Sequence, residues 1–292
     1  MIRSKQTPRK ISGGRTVITL HPAHVLPPVL PRARGEVALS TKPVAGRSVL
    51  DTLRQSGAFK ALFPRPEHGL QAILINTSGG VTGGDRFHVT AHIGADTHAT
   101  LTTQAAERAY RAMPGETGHM RSRISVADNA TLHWLPQELI LYNGCALDRR
   151  LEIALAPTAR LLMVEPILFG RTAMGETLTD ATFRDRISVT RQGQPLYLDG
   201  VSLTGDLAAR LARSSSGNGA AAMVSLLYVA PDAEAHLDPL RALLPPTGGA
   251  SLLAPDMLTL RLVAPDGHAL RTHLLPALDR LSRGALPTSW RL

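Results

Sequence analysis

The chain has little of what usually marks a secreted or cysteine-based protein. Cys145 is its one cysteine in 292 residues, which excludes an intramolecular disulfide and any site built on paired cysteines. So little cysteine fits a reducing compartment, and we therefore expect a cytoplasmic protein. No base stands beside Cys145 in the sequence, so we interpret it as a small packed side chain rather than a catalytic thiol.

Aromatic residues and long apolar runs are also scarce. Only 4% of the residues are aromatic, so leucine, isoleucine, valine and alanine must supply most of the core. The longest nearly unbroken apolar run, from Ala220 to Ala230, is shorter than the roughly 20 residues that a membrane-spanning helix needs. The basic N-terminus lacks the apolar stretch of a secretory signal. We expect no interaction with a membrane.

Acidic residues are missing from the first part of the chain. Glu36 is the first of them, and seven basic residues precede it, which leaves 25 basic against 23 acidic residues in the rest. Most of the net charge of +9 therefore belongs to a segment rich in proline and glycine. We predict a flexible basic arm over residues 1–34 and a single β-rich domain over residues 35–292. The nearly neutral domain shows no basic face with groove-reading or stacking elements, so we expect no nucleic-acid partner.

Alternation of apolar and polar residues dominates the domain. It runs from Phe87 to Ile93 and from Leu151 to Leu155, as is typical of half-buried strands. Alternating residues on both sides of Gln192-Gly193 predict a β-hairpin.

An imprecise repeat is present in the same region. Ile93–Leu101, Val126–Leu132 and Leu155–Leu161 each join an apolar residue, a small turn and a second strand, and they start 33 and 29 residues apart. The first copy is two residues longer than the others. Repeats of this length predict stacked hairpins that share one elongated core.

Helical patterns are few. Short helical spacing occurs over Ser56–Leu62, and stronger patterns predict helices over Asp232–Leu244 and His268–Arg283. Between these two, Met257–Val263 alternates like a strand, and Ser214–Gly219 is the clearest internal loop.

The most distinctive local feature is the turn Gly79–Asp85, which contains Gly79, Gly80, Gly83 and Gly84 after an apolar strand. Paired glycines let a backbone adopt positive φ or approach another group closely. No Lys-Ser/Thr follows them, they lack the GxGxxG order, and a strand rather than a helix comes next, so the turn does not fit a phosphate-binding loop. A structural turn and a loop for another ligand both remain open.

Four acidic residues stand beside apolar or glycine positions: Asp85, Glu138, Glu165 and Glu176. A carboxylate that points into a core is costly unless it is paired or hydrated. The alternative to a functional role is an ion pair with Arg171, Arg184 or Arg186. No nucleophile or cofactor site accompanies the four residues, so we identify no catalytic centre.

The histidines give a weak metal pattern. His88 and His92 share a strand face but lie roughly 13 Å apart at about 3.3 Å per residue, too far to bind one ion together. His88 and His98 would meet across a hairpin. We interpret these residues mainly as members of a polar face.

Taken in order, several segments resemble the urease accessory protein UreD family, also called UreH. The matching segments are Asn76–Arg86, Leu101–Ala105, Tyr110-Arg111, Trp134–Glu138, Gly170-Arg171, Gly175-Glu176, Arg184–Arg186 and Trp290-Arg291. The resemblance runs from Gly35 to the C-terminus and leaves the basic arm outside. The chain departs from the family at Asn76–Ser78, where a histidine or proline is frequent, and at Leu141–Cys145.

The resemblance implies a non-enzymatic scaffold or metallochaperone component. Such proteins bind the urease apoprotein together with UreF-type and UreG-type partners while nickel is inserted. It also implies a mainly β fold of stacked, overlapping sheets in a helical, solenoid-like arrangement, with about two helices towards the C-terminus.

In this family nickel has been proposed to pass through an internal water-filled tunnel. The resemblance therefore makes Asp85, Glu138, Glu165 and Glu176 candidates for lining it. Gly79, Gly80, Gly83, Gly84, Gly170, Arg171 and Gly175 are then structural motif residues. No tightly bound cofactor is expected, and nickel would be a transient cargo.

Two other functions remain open at the level of the sequence. One is a β-solenoid adaptor unrelated to nickel, which predicts a stable complex without turnover. The other is a carboxylate-dependent hydrolase that uses residues such as Glu138 and Asp185, which predicts two carboxyl groups about 5–10 Å apart in a small-molecule pocket.

Overall fold

The predicted mainly β architecture of stacked sheets is confirmed. The computed structural model describes residues 31–65, 69–171 and 174–291. Within these ranges 17 strands form two sheets, and helices pack against one of them. All but the last four residues of the predicted arm, residues 1–34, lie outside the described residues.

Sheet 1 contains seven of the described strands. They are β1 (Arg34–Val44), β2 (Arg47–Gly57), β5 (Arg86–Ile93), β8 (Gly118–Val126), β11 (Ala146–Leu155), β13 (Ala181–Arg191) and β14 (Gln194–Gly205). Their order across the sheet is β14-β13-β11-β8-β5-β1-β2, and the central strands from β1 to β13 run parallel.

Sheet 2 contains the other ten described strands. They are β3 (Phe59–Leu62), β4 (Leu70–Asn76), β6 (His98–Thr103), β7 (Glu107–Ala109), β9 (Thr131–Leu135), β10 (Leu139–Leu141), β12 (Arg160–Phe169), β15 (Ala222–Val229), β16 (Gly248–Ala254) and β17 (Met257–Ala264). Eight follow the order β16-β17-β15-β12-β9-β6-β4-β3, and β10 joins β12 to β7 beside them.

The chain crosses repeatedly from one sheet to the other, which defines two ends of the stack. At one end, the tight turns 94–97, 127–130 and 156–159 carry the chain from sheet 1 to sheet 2; we call this the arch end. At the opposite end, the longer connections 77–85, 104–117, 136–145 and 170–180 carry it back; we call this the loop end.

The predicted repeat is present, but its units are not hairpins. Each unit places its first strand in sheet 1 and its second in sheet 2, so the two strands pack through side chains instead of hydrogen-bonding to each other. A local pattern of strand, turn and strand does not specify which sheet the second strand joins. The prediction of stacked hairpins was therefore wrong in its pairing.

The three units also have equal lengths. In sheet 2, Leu132 pairs with Ala99 on one side and with Leu161 on the other, so Ala99 rather than Leu101 is the equivalent residue of the first unit. The turns stack through backbone bonds such as Thr131 N–H to Thr97 O at 2.8 Å. Full burial of one such leucine contributes about 1.5–3 kcal/mol, so the column of equivalent residues stabilises the stack.

Three α-helices are described: α1 (Leu207–Leu211), α2 (Ala233–Leu243) and α3 (Gly267–Ser282). The predicted helices over Asp232–Leu244 and His268–Arg283 are confirmed as α2 and α3. The Asp266 side chain caps α3 by accepting from Ala269 N–H at 2.7 Å. The apolar face of α3 is buried on the outer side of sheet 2, which it covers together with α2.

Of the remaining local predictions, the hairpin, the strand and the loop are confirmed, and the short helical segment is wrong. The hairpin at Gln192-Gly193 is confirmed, and both turn residues have the positive φ that a tight hairpin turn requires. Met257–Val263 is confirmed as β17, and Ser214–Gly219 lies in the loop between α1 and β15. Ser56–Leu62 is not helical: it spans the end of β2 and all of β3, where Phe59 is buried against Phe87.

Candidate functional site

Most of the segments that resemble the family gather at the loop end. The turn Gly79–Asp85 connects β4 to β5, Trp134–Glu138 spans the end of β9 and the residues after it, and Gly170-Arg171 follows β12. Parallel strands of sheet 2 finish at this end and parallel strands of sheet 1 begin here. Segments far apart in the sequence therefore become neighbours.

Asp85 holds the glycine turn to the segment before β1. Its buried carboxylate accepts hydrogen bonds from the backbone N–H groups of Thr82 at 2.9 Å and Ala33 at 2.7 Å. Two backbone donors satisfy a carboxylate that would otherwise be costly to bury. This contact gives Asp85 a structural role in the turn, and its predicted part in nickel transfer stays a prediction.

Two glycines of the turn allow close packing. A Cβ at Gly80 would lie 2.2 Å from a ring carbon of Tyr110, and one at Gly83 would lie 2.6 Å from Cβ of Glu116. The Tyr110 hydroxyl donates to the Gly79 carbonyl at 3.1 Å. The other motif glycines adopt positive φ: Gly79, Gly84, Gly170 and Gly175. The loops at this end are thus closely fitted to one another.

A cavity of about 210 Å³ lies between the two sheets beside these loops. Apolar residues from both sheets form much of its wall. Its polar lining includes Asn76 and Gln137, and its charged lining consists of Glu107, Glu165, Arg108, Arg121, Arg149 and Arg150. Of the four carboxylates predicted for nickel transfer, Glu165 lines this cavity and the other three do not.

Glu165 belongs to a buried charge cluster that joins the two sheets. Arg149, which points inward from β11, lies 2.5 Å from a carboxylate oxygen of Glu165 and 2.5 Å from one of Asp185. The second Glu165 oxygen accepts from Trp134 Nε1 at 2.7 Å. Arg149 thus carries one positive charge between two carboxylates.

Burial acts differently on the members of this cluster. It raises the pKa of Glu165, and the charge of Asp185 raises it further against the opposing effect of Arg149. Burial disfavours the charge of Arg149, but Asp185 and Glu165 raise the pKa of Arg149 overall. Glu165 is therefore the member whose charge an additional cation at the cavity would favour most.

Glu107 is a second carboxylate at the cavity, and sequence reasoning missed it. Burial raises the pKa of Glu107, while hydrogen bonds from Arg108 N–H and the Asn76 side chain lower it. Asn76 Nδ2 lies 3.2 and 3.3 Å from its two oxygens and also donates to the Gly80 carbonyl. The glycine turn is thereby connected to the cavity wall. The sequence offered one signal, since Glu107 stands between two segments that resemble the family.

Glu138 joins the loop end to the C-terminal helix. Its carboxylate accepts from Arg271 Nε at 2.6 Å and from Nη2 at 3.3 Å. Arg271 also donates to the side chain of Gln137, which lines the cavity, and its guanidinium lies 5.3 Å from the ring centroid of Trp290. Glu138 therefore supports the wall from behind without lining it.

Glu176 forms an ion pair with Arg171, as the structural alternative predicted. Arg171 Nε and Nη2 each donate a hydrogen bond of 3.1 Å to a different carboxylate oxygen of Glu176. This pairing lowers the pKa of Glu176. The same guanidinium stacks over Tyr142, 4.3 Å from the ring centroid. Arg184 and Arg186, the other predicted partners, form no ion pair with a buried carboxylate among the described residues, and both are exposed.

The structure also shows where the candidate histidines and Cys145 lie. His98 meets His133 rather than His88, with Nε2 and Nδ1 3.4 Å apart. Cys145 is buried, and burial raises the pKa of its thiol to about 12. Within residues 31–65, 69–171 and 174–291, no three His, Cys, Asp or Glu side chains are arranged to hold a metal ion. No helix in these ranges is long and apolar enough to cross a membrane.

Comparison with known proteins agrees with this geometry. Residues 33–291 match the model of the family described as UreD urease accessory protein. A urease accessory protein UreD from Ruegeria pomeroyi is 53% identical over 87% of this chain and 99% of its own length. Its counterpart from Roseobacter denitrificans is 50% identical over 90% and 96%, and that from Agrobacterium fabrum is 42% identical over 89% and 92%. The chain belongs to the UreD family of urease accessory proteins.

Proposed function

We propose that this protein is a non-enzymatic scaffold and metallochaperone component in urease maturation. In this role it binds the urease apoprotein together with UreF-type and UreG-type partners and assists the insertion of nickel. Family membership supports a role in urease maturation, and the observation that carries the nickel role is the cavity between the sheets. Two carboxylates, the half-buried Glu107 and the buried Glu165, line that cavity at the end where the family-like loops meet.

The chemistry of the cavity fits a cation in transit. Carboxylate, carbonyl and water oxygens hold a borderline divalent ion more loosely than a full imidazole or thiolate set. The Glu165 carboxylate can attract such an ion, while the neighbouring guanidinium of Arg149 limits how tightly it is held. Nickel is then a transient cargo, and no tightly bound cofactor is required.

The four predicted carboxylates divide by position within this proposal. Glu165 is the residue that contacts or steers the ion, because it lines the cavity. Asp85, Glu138 and Glu176 act by holding the surrounding loops and helix α3 in place, since each is bonded to a backbone donor or an arginine. A cytoplasmic location is part of the proposal, and the single cysteine of the chain supports it.

Co-expression with the urease genes and the other accessory genes tests the proposal. Alanine at each of the four carboxylates should lower the nickel content of purified urease, with the largest loss at Glu165, while unfolding curves confirm that each variant is folded. Unchanged urease activation in all four variants contradicts the nickel role.

Co-purification tests the scaffold role separately. The wild-type chain should retain a UreF-type partner and the urease apoprotein with or without added nickel. Loss of the complex only when nickel is removed would point to an indirect association. A stable complex together with normal activation in every carboxylate variant favours an adaptor unrelated to nickel transfer.

A further inference from the structure

The outer face of sheet 1 is covered by none of the described elements. Helices α2 and α3 pack on sheet 2, whereas β5 alternates fully between buried and exposed residues from Arg86 to Ile93. Every second residue of β5, β8, β11 and β13 therefore points away from the core. Most of these side chains lie away from the cavity, which is on the inner side of the same strands, although Arg121 and Arg150 are also among the residues that line it.

Two neighbouring rows of this face are strongly basic. Strand register places Arg34 beside Arg86 in one row, and places Arg150 between Arg121 and Arg186 in the next. Arg184 completes the first row on β13. We call the six residues the arginine face: Arg34, Arg86, Arg121, Arg150, Arg184 and Arg186. At about 4.8 Å between strands, the face extends roughly 19 Å from β1 to β13.

The acidic residues on these rows do not neutralise the face. Glu36 and Asp148 are the two carboxylates in the same rows, so the six arginines carry four excess positive charges. Asp148 is shared between Arg121 at 3.2 Å and Arg150 at 3.6 Å. Arg86, Arg184 and Arg186 are exposed, and the described residues provide no ion-pair partner for them. Consistent with this, burial and the charges of Arg121 and Arg86 lower the pKa of His119.

A surface of smaller residues follows the arginine face along the same strands, beyond a row in which Arg123 and Glu152 form an ion pair. In it, four residues lie side by side towards the arch end: His92, Ser125, Ala154 and Thr190. A protein partner uses both kinds of surface, with charged pairs for orientation and small neutral residues for close packing. The outward positions of these rows contain no phenylalanine, tyrosine or tryptophan side chains, which are the common platforms for base stacking.

We propose that the arginine face is a docking surface for an acidic region of a protein partner. Arginine pairs with carboxylates through two parallel hydrogen bonds, which suits a flat row of guanidinium groups. Residues 1–30 do not complement the face, because they contain five basic and no acidic residues. The flat sheet also presents no helix or ribbon of the kind that enters a nucleic-acid groove. This surface does not depend on the nickel role of the cavity.

Fluorescence anisotropy with the full-length chain tests the proposal. The probes are a labelled short polyglutamate peptide and a labelled oligothymidylate of matched charge. The test variant combines Arg184→Glu with Arg186→Glu. The matched control combines Arg213→Glu with Arg280→Glu, which makes the same charge change at exposed arginines away from sheet 1.

The wild-type chain should bind the peptide, and the test variant should bind it at least about tenfold more weakly. The control should stay within about twofold, because exposed charges at a distance contribute little. The neutral pair Arg184→Gln with Arg186→Gln should give a smaller loss than the glutamate pair. Circular dichroism and thermal unfolding check that each variant is folded, and the neutral pair replaces the glutamate pair if the latter is not.

Three results overturn the proposal. The first is the absence of peptide binding by the wild-type chain. The second is an equal loss in the test and control variants, which would assign binding to net charge and not to this face. The third is tighter binding of the oligonucleotide that depends on the same arginines, which would make the face a nucleic-acid site.

Discussion

The two ends of the stack are built from the same strands but differ in what their connections contain. At the arch end, three tight turns of equal length stack on one another through backbone bonds, and the residues beside them are apolar and buried. At the loop end, longer connections surround a cavity with buried charges and carry most of the segments that resemble the UreD family. The arches therefore set the spacing of the strands, whereas the loops carry the charged residues of the candidate site.

The largest expected loss of unfolding free energy comes from breaking the buried charge cluster, and it should exceed the loss from breaking a surface ion pair. Arg149→Ala leaves Glu165 and Asp185 without their shared cation, and we expect it to lower the free energy of unfolding by about 3–5 kcal/mol. Arg123→Ala breaks the exposed pair with Glu152 and should cost at most about 1 kcal/mol. Urea denaturation measures both. Equal losses would mean that Arg149 is not the centre of the cluster.

At the arch end, we expect a pure packing effect. Leu155→Ala removes a fully packed side chain and should cost about 3 kcal/mol, through lost burial and the cavity left behind. Denaturant unfolding measures this cost. Urease activation per folded molecule should stay normal, since the arch end does not face the candidate site. A specific activation defect at equal folded concentration would contradict the division between the two ends.

Two adjacent glycines give a sharper test of the loop end. Gly80→Ala pushes a Cβ against the Tyr110 ring and should cost about 2 kcal/mol through overpacking. Gly79→Ala meets no atom within 4 Å and carries only the cost of a positive φ of 80°, which should be about 1 kcal/mol. Thermal unfolding compares the two variants. The prediction fails if Gly79→Ala is the more destabilising one.

The smallest predicted effect is a dependence on pH. Burial and the nearby His98 lower the pKa of His133 to about 3. The unfolded chain therefore binds a proton at this residue below about pH 6.5 that the folded chain does not bind, so stability falls as the pH is lowered. Between about pH 7 and pH 5.5 this should amount to about 1 kcal/mol, and His133→Gln should remove that part of the decrease. Identical pH slopes for the two proteins would contradict it.

Much of the fold was predictable because period-two alternation reports the burial of each strand directly. The strands Phe87–Ile93 and Met257–Val263 and both later helices follow from local patterns. The pairing of the repeats did not, because the choice of sheet for each second strand depends on contacts between distant segments. Ser56–Leu62 failed for a related reason, since the burial of Phe59 against Phe87 overrides a weak helical spacing.

The site was predictable only in part. Resemblance led to Glu165, but nothing near it in the sequence shows that Arg149 and Asp185 complete its cluster, since residues on three strands meet there. The arginine face could not be predicted from the total charge of the domain either. A domain close to neutral can still gather its arginines on one face, because strand register, not composition, decides which residues become neighbours.

The nickel content of urease, measured per active site, tests the difference between the two ends most directly. Urease is co-expressed with the Glu165→Gln variant or with an arch-end variant, such as Ile153→Val, whose loss of unfolding free energy is matched to it. We expect Glu165→Gln to lower the nickel content while the matched arch-end variant leaves it at the wild-type level. Equal nickel content in both samples would contradict the assignment of the chemistry to the loop end.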